Sequence, residues 1–159
     1  MGGSNVEGLD SLLKKFGKLG GNVQGTLYKS IDRQAKLVQG DAKDLCSVDT
    51  GDLRNSIKEE TKIRGDKIVS SIFTNSDHGP HVEFGTGKKG EASGGDKYPG
   101  PISYKQDKWL VNIPDVGPRW TEGQPAQPFM YPALKNNEER ILENIKKDIK
   151  KEIRELARR

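Results

Sequence analysis

The run LKNNEERILENIKKDIKKEIREL, residues 134–156, decides the fold. Its large apolar side chains, Leu134, Ile141, Ile145, Ile149, Ile153 and Leu156, recur at three-, four- and seven-residue steps, with Lys, Arg and Glu between them. That spacing predicts one long amphipathic helix with opposite charges placed for i,i+4 pairing. Glu138, Glu139 and Glu143 lie early in it and Arg158-Arg159 end it, as the helix dipole favours. A single apolar stripe must be buried against another helix or a sheet, so the rest of the chain has to supply that surface.

The N-terminal third supplies helices. Leu9, Leu12, Leu13, Phe16 and Leu19 share one face of a short helix, which Gly20-Gly21 interrupts. Asn22 is placed to cap a second, whose stripe is Val23, Leu27, Ile31, Ala35, Val38, Ala42 and Leu45. Asp49-Thr50-Gly51 then reads as a turn, with Leu53 to Ile63 following as an extended segment. Lys67 to Asn75 is the clearest strand, since Ile68, Val69, Ile72 and Phe73 are β-branched or aromatic. Arg64-Gly65-Asp66 fits the tight turn of a hairpin between the two. From Gly85 to Gly100, six glycines and few apolar residues predict a flexible, solvent-facing loop. Trp109 to Ile113 is a further strand, after which Pro114, Pro118, Pro125 and Pro128 keep the chain extended or turning. The order α, α, β, β, loop, β, α predicts an α+β fold over residues 1–159. One small, mostly antiparallel sheet is covered by N-terminal helices and the long C-terminal amphipathic helix, with a flexible Gly-rich insertion at about 85–124.

The totals narrow the function. Of 159 residues only 31% are hydrophobic and 6% aromatic, against 31% charged, and the mean hydropathy is −0.81. Such a chain has little with which to build a deep core alone, and a small core extended by neighbouring subunits suits it better. The formal charge is +4, and residues Phe129 to Arg159 hold nine Lys and Arg against six Asp and Glu. Contact with DNA is permitted but not demanded, because the glutamates interleaved along the helix would repel the same phosphates. The lone Cys46 excludes an intramolecular disulfide and a Cys-based zinc site, and reads as a buried thiol. No apolar run reaches the roughly 18 residues of a membrane span, and Met1 to Asn5 lacks the basic start of a secretion signal. A product made in the cytoplasm without a membrane partner is expected.

Little in the chain points to chemistry. His78, His81 and Glu83 stand close together, but His-Gly-Pro-His lies in a turn and does not present ligands on one helical face. Gly85-Thr86-Gly87-Lys88-Lys89-Gly90 resembles a phosphate loop only superficially. Lys88 is not followed by Ser or Thr, and the continuation is too glycine-rich to predict a helix. No nucleophile has a neighbouring base, and no carboxylate pair sits in an apolar frame. The chain is read as a non-enzyme without catalytic residues, cofactor or metal.

Three segments carry a resemblance. They are Asp49-Thr50-Gly51-Asp52-Leu53-Arg54-Asn55-Ser56-Ile57, His81-Val82-Glu83-Phe84-Gly85-Thr86, and Pro125-Ala126-Gln127-Pro128-Phe129-Met130-Tyr131-Pro132-Ala133-Leu134. In this order and between matching helices, they resemble the neck or tail-completion (minor tail component) morphogenesis proteins of long-tailed bacteriophages. The resemblance implies a virion structural protein at the head–tail junction or tail end. It would form part of a ring of six or twelve copies, joining the capsid connector (the head-completion proteins) to the tail tube or tail terminator. It would be made in the host bacterial cytoplasm. The candidate assembly residues are Leu53, Arg54, Glu83, Phe84, Gly85, Thr86, Pro128 and Phe129. Gly51 and Gly85 would supply backbone angles that a side chain forbids, and Phe129 would anchor the last helix. Glu83 would cap a helix or pair with a basic group on a neighbour.

The chain departs from the family pattern between Gly85-Thr86 and Pro125-Ala126, where shorter members run almost directly on. The lysines of this insertion, Lys88, Lys89 and Lys97 with Lys105 and Lys108, make it a candidate DNA-facing loop with passive contact to DNA in the channel. A small basic DNA-binding protein is the alternative reading.

Overall fold

The computed structural model describes residues 21–94, 98–156 and 158. The Leu9–Leu19 stripe, the side chain of Asn22 and Lys97 lie outside the described residues.

Two long helices form the frame, α1 (Gly21–Leu45) and α5 (Met130–Leu156). They run antiparallel, and polar pairs mark their register. Thr26 Oγ1 donates to Glu152 Oε2 at 3.1 Å and Ser30 Oγ to Asp148 Oδ2 at 2.6 Å. Asn144 Nδ2 donates to Gln34 Oε1 at 3.0 Å and Asn137 Nδ2 to Asp41 Oδ2 at 2.6 Å. Each step up α1 is matched by an equal step down α5, so all four pairs belong to one register. Between them lie two apolar clusters. Leu27, Ile145 and Ile149 pack with Ile31, Ile68, Ile141 and Ile153 at one end. Val38, Ala42, Cys46, Ile57, Phe129 and Ala133 form the other.

The helix stripes differ from expectation at their ends. Leu45 is 48% exposed and Cys46 takes its place in the core, while Leu134 is 51% exposed and Ala133 and Asn137 face inward instead. The small residues let the helices approach where the chain turns in toward Phe129.

The hairpin of β1 (Lys58–Arg64) and β2 (Lys67–Phe73) packs one face on α1. It is antiparallel, pairing Lys58 with Phe73 and Arg64 with Lys67. Ile68, Ser70 and Ile72 alternate inward with the period of two that a half-buried strand requires. The turn falls at Gly65 with φ +62°, as the sequence predicted.

Three expectations are corrected. The segment after the Asp49-Thr50-Gly51 turn is not extended from Leu53: Asp52–Ser56 forms a short helix, α2, and β1 begins only at Lys58. Gly51 enters it at φ +88°, Thr50 Oγ1 accepts from the Asp52 N–H at 3.4 Å, and Leu53 packs onto the Phe129 cluster. The Thr50–Asp52 turn contact and the packing of the partly buried Leu53 on that cluster outweigh extended propensity. Gly87–Gly94, expected as open loop, is a helix, α4, following α3 (Gly79–Phe84). Its Gly87 and Gly90 serve close packing: a Cβ on Gly87 would run into Glu122 O, and one on Gly90 would lie 2.6 Å from Gly85 C. Finally, the strands form two separate two-stranded sheets. The second pairs β3 (Trp109–Ile113) with β4 (Gly117–Thr121), the latter unpredicted because Pro118 reads as a strand breaker. In this two-stranded hairpin Pro118 stands opposite Asn112.

Candidate functional site

The second and third sequence motifs meet at one carboxylate. Glu83 lies in the last turn of α3 and is only 6% exposed. Its Oε2 accepts the backbone N–H groups of Phe129 at 2.7 Å and Met130 at 2.8 Å, and its Oε1 accepts that of Tyr131 at 2.9 Å. These are free donors at the start of α5, which no intrahelical carbonyl reaches. A residue 46 positions upstream therefore caps the longest helix and sets a negative charge at the positive end of its dipole. Of the two roles expected for Glu83, the structure shows the cap.

The neighbouring backbone closes the same joint. Gln127 N donates to Val82 O at 2.8 Å, and Gln124 Nε2 to His81 O at 2.9 Å. Thr86 N donates to Gln124 O at 2.9 Å while Gln124 N donates back to Thr86 O at 3.1 Å. Ala126 N reaches Ser93 Oγ on α4 at 2.7 Å, and Tyr104 Oη reaches Phe84 O at 2.9 Å. Gly85 stands in the gap with φ +72°. A Cβ there would lie 2.6 Å from Gly90 Cα, 2.7 Å from Ala126 N and 2.8 Å from Gln124 O. Gly85, Gly87 and Gly90 are thus spacers for close approach, where composition alone reads as flexibility.

Phe129 is fully buried in the core cluster beside the cap. Phe84 meets Tyr98 edge-on with ring centroids 5.0 Å apart, and Tyr98 meets Tyr131 likewise at 5.7 Å. These rings border an apolar groove of about 530 Å³, lined also by Ile72, Pro80, Met130 and the exposed Leu134, with Glu83 and Phe129 at its inner wall.

The structure thus brings Glu83, Phe84, Gly85, Thr86 and Phe129 together, with Pro128 half-buried beside them and Leu53 on the same core cluster. It does not bring Arg54, which is exposed and pairs with Asp44 at 3.2 Å. Lys88 and Lys89 are exposed on α4. Lys105 lies over the Trp109 ring at 5.3 Å, and Lys108 pairs with Glu122 at 3.3 Å. Sequence reasoning missed Gln124, Ser93, Tyr98 and Tyr104. Their partners are backbone atoms or rings distant in sequence, which no local motif reveals. Burial pushes the Cys46 thiol up from its ordinary range, with Arg54 opposing the shift.

His78 and His81 are both exposed, and both Glu83 oxygens are already engaged by N–H donors. Among the described residues no three His, Cys, Asp or Glu side chains are grouped to hold a metal ion. Likewise, no described helix is long and apolar enough to cross a membrane. The joint holds backbone in place through Glu83.

No curated protein and no solved structure matches the chain. Residues 10–85 match one family profile, HK97-gp10-like, described as "Bacteriophage HK97-gp10, putative tail-component". The match takes in α1, the Thr-Gly-Asp-Leu-Arg turn and the Val-Glu-Phe-Gly segment, and ends at the glycine where the insertion begins. Over residues 10–85, just under half of its length, the chain is similar to the HK97-gp10-like family of bacteriophage tail components.

Proposed function

We propose that the protein is a structural, non-catalytic component of a long-tailed phage virion. It forms part of a ring of six or twelve copies at the head–tail junction or tail end, between the capsid connector and the tail tube. The similarity of residues 10–85 to a phage tail-component family supports a tail-related part. The observation that carries the ring is the presence of two unlike apolar surfaces on one small subunit. One is the groove beside the Glu83 cap. The other is the β3–β4 hairpin, where Leu110 and Trp120 stand opposite each other, 55% and 71% exposed, with Val116 near the turn at 54%. A projecting apolar hairpin and an apolar groove suit a head-to-tail contact between copies, and such heterologous contacts close into rings. Exposed apolar positions concentrated in this way mark interaction surfaces.

The test is light scattering on the purified protein, alone and mixed with the connector and tail-tube proteins of its phage. A species of six or twelve subunits is expected in at least one mixture. Trp120→Lys should abolish it while leaving the circular-dichroism melting curve unchanged. A strict monomer under every condition, or a ring indifferent to Trp120→Lys, overturns the assembly reading or its hairpin contact respectively.

A further inference from the structure

The glutamates interleaved along residues 134–156 argue, in linear sequence, against contact with nucleic acid. In three dimensions they are sorted. Asp148 and Glu152 turn toward α1, where Ser30, Arg33 and Thr26 engage them. The opposite face of the C-terminal half of α5 presents Lys146, Lys147, Lys150, Lys151 and Arg154, joined by Arg158 just beyond its end, all exposed, against Glu143 and Glu155. Six cations against two carboxylates leave a surplus of four, equal to the formal net charge of the whole chain. Among the described residues only Lys151 finds a carboxylate, Glu155 at 4.0 Å.

A solvated helix face normally alternates its charges so that i,i+4 neighbours attract. Here Lys146–Lys150, Lys147–Lys151 and Lys150–Arg154 are like-charged i,i+4 neighbours on the helix. Each opposes the helix. The helix dipole accounts for cations in the last turn only, which covers Arg154 but not the four lysines. An anionic partner would relieve the repulsion. The face spans about 12 Å from Lys146 to Arg154, and a DNA duplex carries one phosphate per about 1.7 Å of its axis. The face carries no aromatic or large aliphatic anchor of the kind that a protein hot spot or a membrane interface uses. The insertion lysines are less suited, since Lys105 and Lys108 are already engaged with Trp109 and Glu122.

We propose that the outward face of α5, centred on Lys146, Lys150 and Arg154, binds the phosphate backbone of duplex DNA without reading its sequence. This assignment does not depend on ring formation. It is tested by fluorescence anisotropy of a short labelled duplex with the full-length protein in increasing salt. Four phosphate contacts predict a log–log slope near −3.6, about a hundred-fold loss of affinity between 50 and 200 mM salt. Lys146→Glu/Lys150→Glu/Arg154→Glu should lower affinity by more than tenfold, and Lys88→Glu/Lys89→Glu should leave it unchanged. The corresponding Gln triple variant serves if the Glu variant loses its helical circular-dichroism signal. Absence of binding at low salt, a slope near zero, or binding indifferent to the triple variant overturns the proposal. Polyglutamate competing as well as DNA at equal charge would assign the face to an acidic protein instead. Light scattering on the triple variant separates this outcome from assembly, because the ring contacts lie on the hairpin and groove.

Discussion

Removing the Glu83 carboxylate should cost the fold more than any other single polar change in the described chain. The side chain is nearly buried and serves three backbone donors at 2.7–2.9 Å. An ordinary N-cap replaced by Ala costs about 0.5–2 kcal/mol. Here the acceptor is charged, and a charge-assisted hydrogen bond contributes about 1.5–3 kcal/mol. The three bonds share one carboxylate, so their contributions do not simply add. Taken together, Glu83→Ala should destabilise by about 3–4 kcal/mol. Glu83→Gln keeps one good acceptor oxygen but turns an amide N–H₂ toward the remaining donors, and should cost about 2–3 kcal/mol. Glu83→Asp keeps the charge but falls one methylene short, and should lie nearer wild type than Ala does. The assay is urea denaturation followed by circular dichroism, with the midpoint shift converted through an unchanged slope. In thermal melts the Ala change corresponds to roughly 6–16 °C at about 2–4 °C per kcal/mol. A Gln variant within about 0.5 kcal/mol of wild type would falsify the cap as a principal tie between the motifs.

Three further outcomes follow from the same geometry. Gly85→Ala puts a Cβ into backbone on three sides at φ +72° and should destabilise by more than about 2 kcal/mol, whereas Gly117→Ala, at φ +85° but in open space, should cost only the backbone term of about 1 kcal/mol; urea midpoints compare them. Cys46 should react slowly with a maleimide near neutral pH in the native protein and promptly in denaturant. Because burial raises its folded value, the unfolded thiol loses its proton first, so its stability contribution is intact below about pH 8.5 and declines as pH rises through the folded value. Gln34→Leu and Asn144→Leu should each cost about 1–2 kcal/mol by stranding the partner amide. The double variant should recover most of that loss, a coupling read from a double-mutant cycle.

The parts of this fold legible in the sequence are those written in local periodicity. The long C-terminal helix, the α1 stripe, the β1–β2 hairpin with its turn at Gly65 and the β3 strand all announce themselves by spacing and turn chemistry. Expectation failed where long-range contact overrides composition. Gly85, Gly87 and Gly90 looked like a mobile linker because glycine serves both flexibility and close approach, and only the facing segment at residues 122–126 distinguishes the two. Leu45 and Leu134 fit their stripes on paper, yet Cys46 and Ala133 hold the buried positions because α1 and α5 close on Phe129 there. Of the motif residues, Glu83, Gly85 and Phe129 come together at one joint. The carboxylate–backbone geometry joining them is invisible without a fold, and Lys97 falls outside the described residues.

The polar seam between α1 and α5 explains why so hydrophilic a chain settles on one helix pairing. Ser30 and Gln34 on α1, and Asn137 on α5, are among the most buried polar side chains, and each finds its partner across the helix pair only in this register. Sliding α5 by one turn would bring apolar stripe against apolar stripe almost as well, since both repeat at three and four residues. It would strip Ser30 and Gln34 of these partners, at about 1–3 kcal/mol each, while Asn137 would keep only its bonds to Ala133 O and Arg140 within its own helix. It would also carry the first turn of α5 away from Glu83, which is tied to the β1–β2 end of the core through α3. The seam and the cap therefore select the same register from opposite ends. With register secured by polar contacts, little apolar surface is needed inside. Leu110, Trp120, Leu134 and the groove beside Phe129 remain outside, the surfaces on which the proposed contact between copies rests.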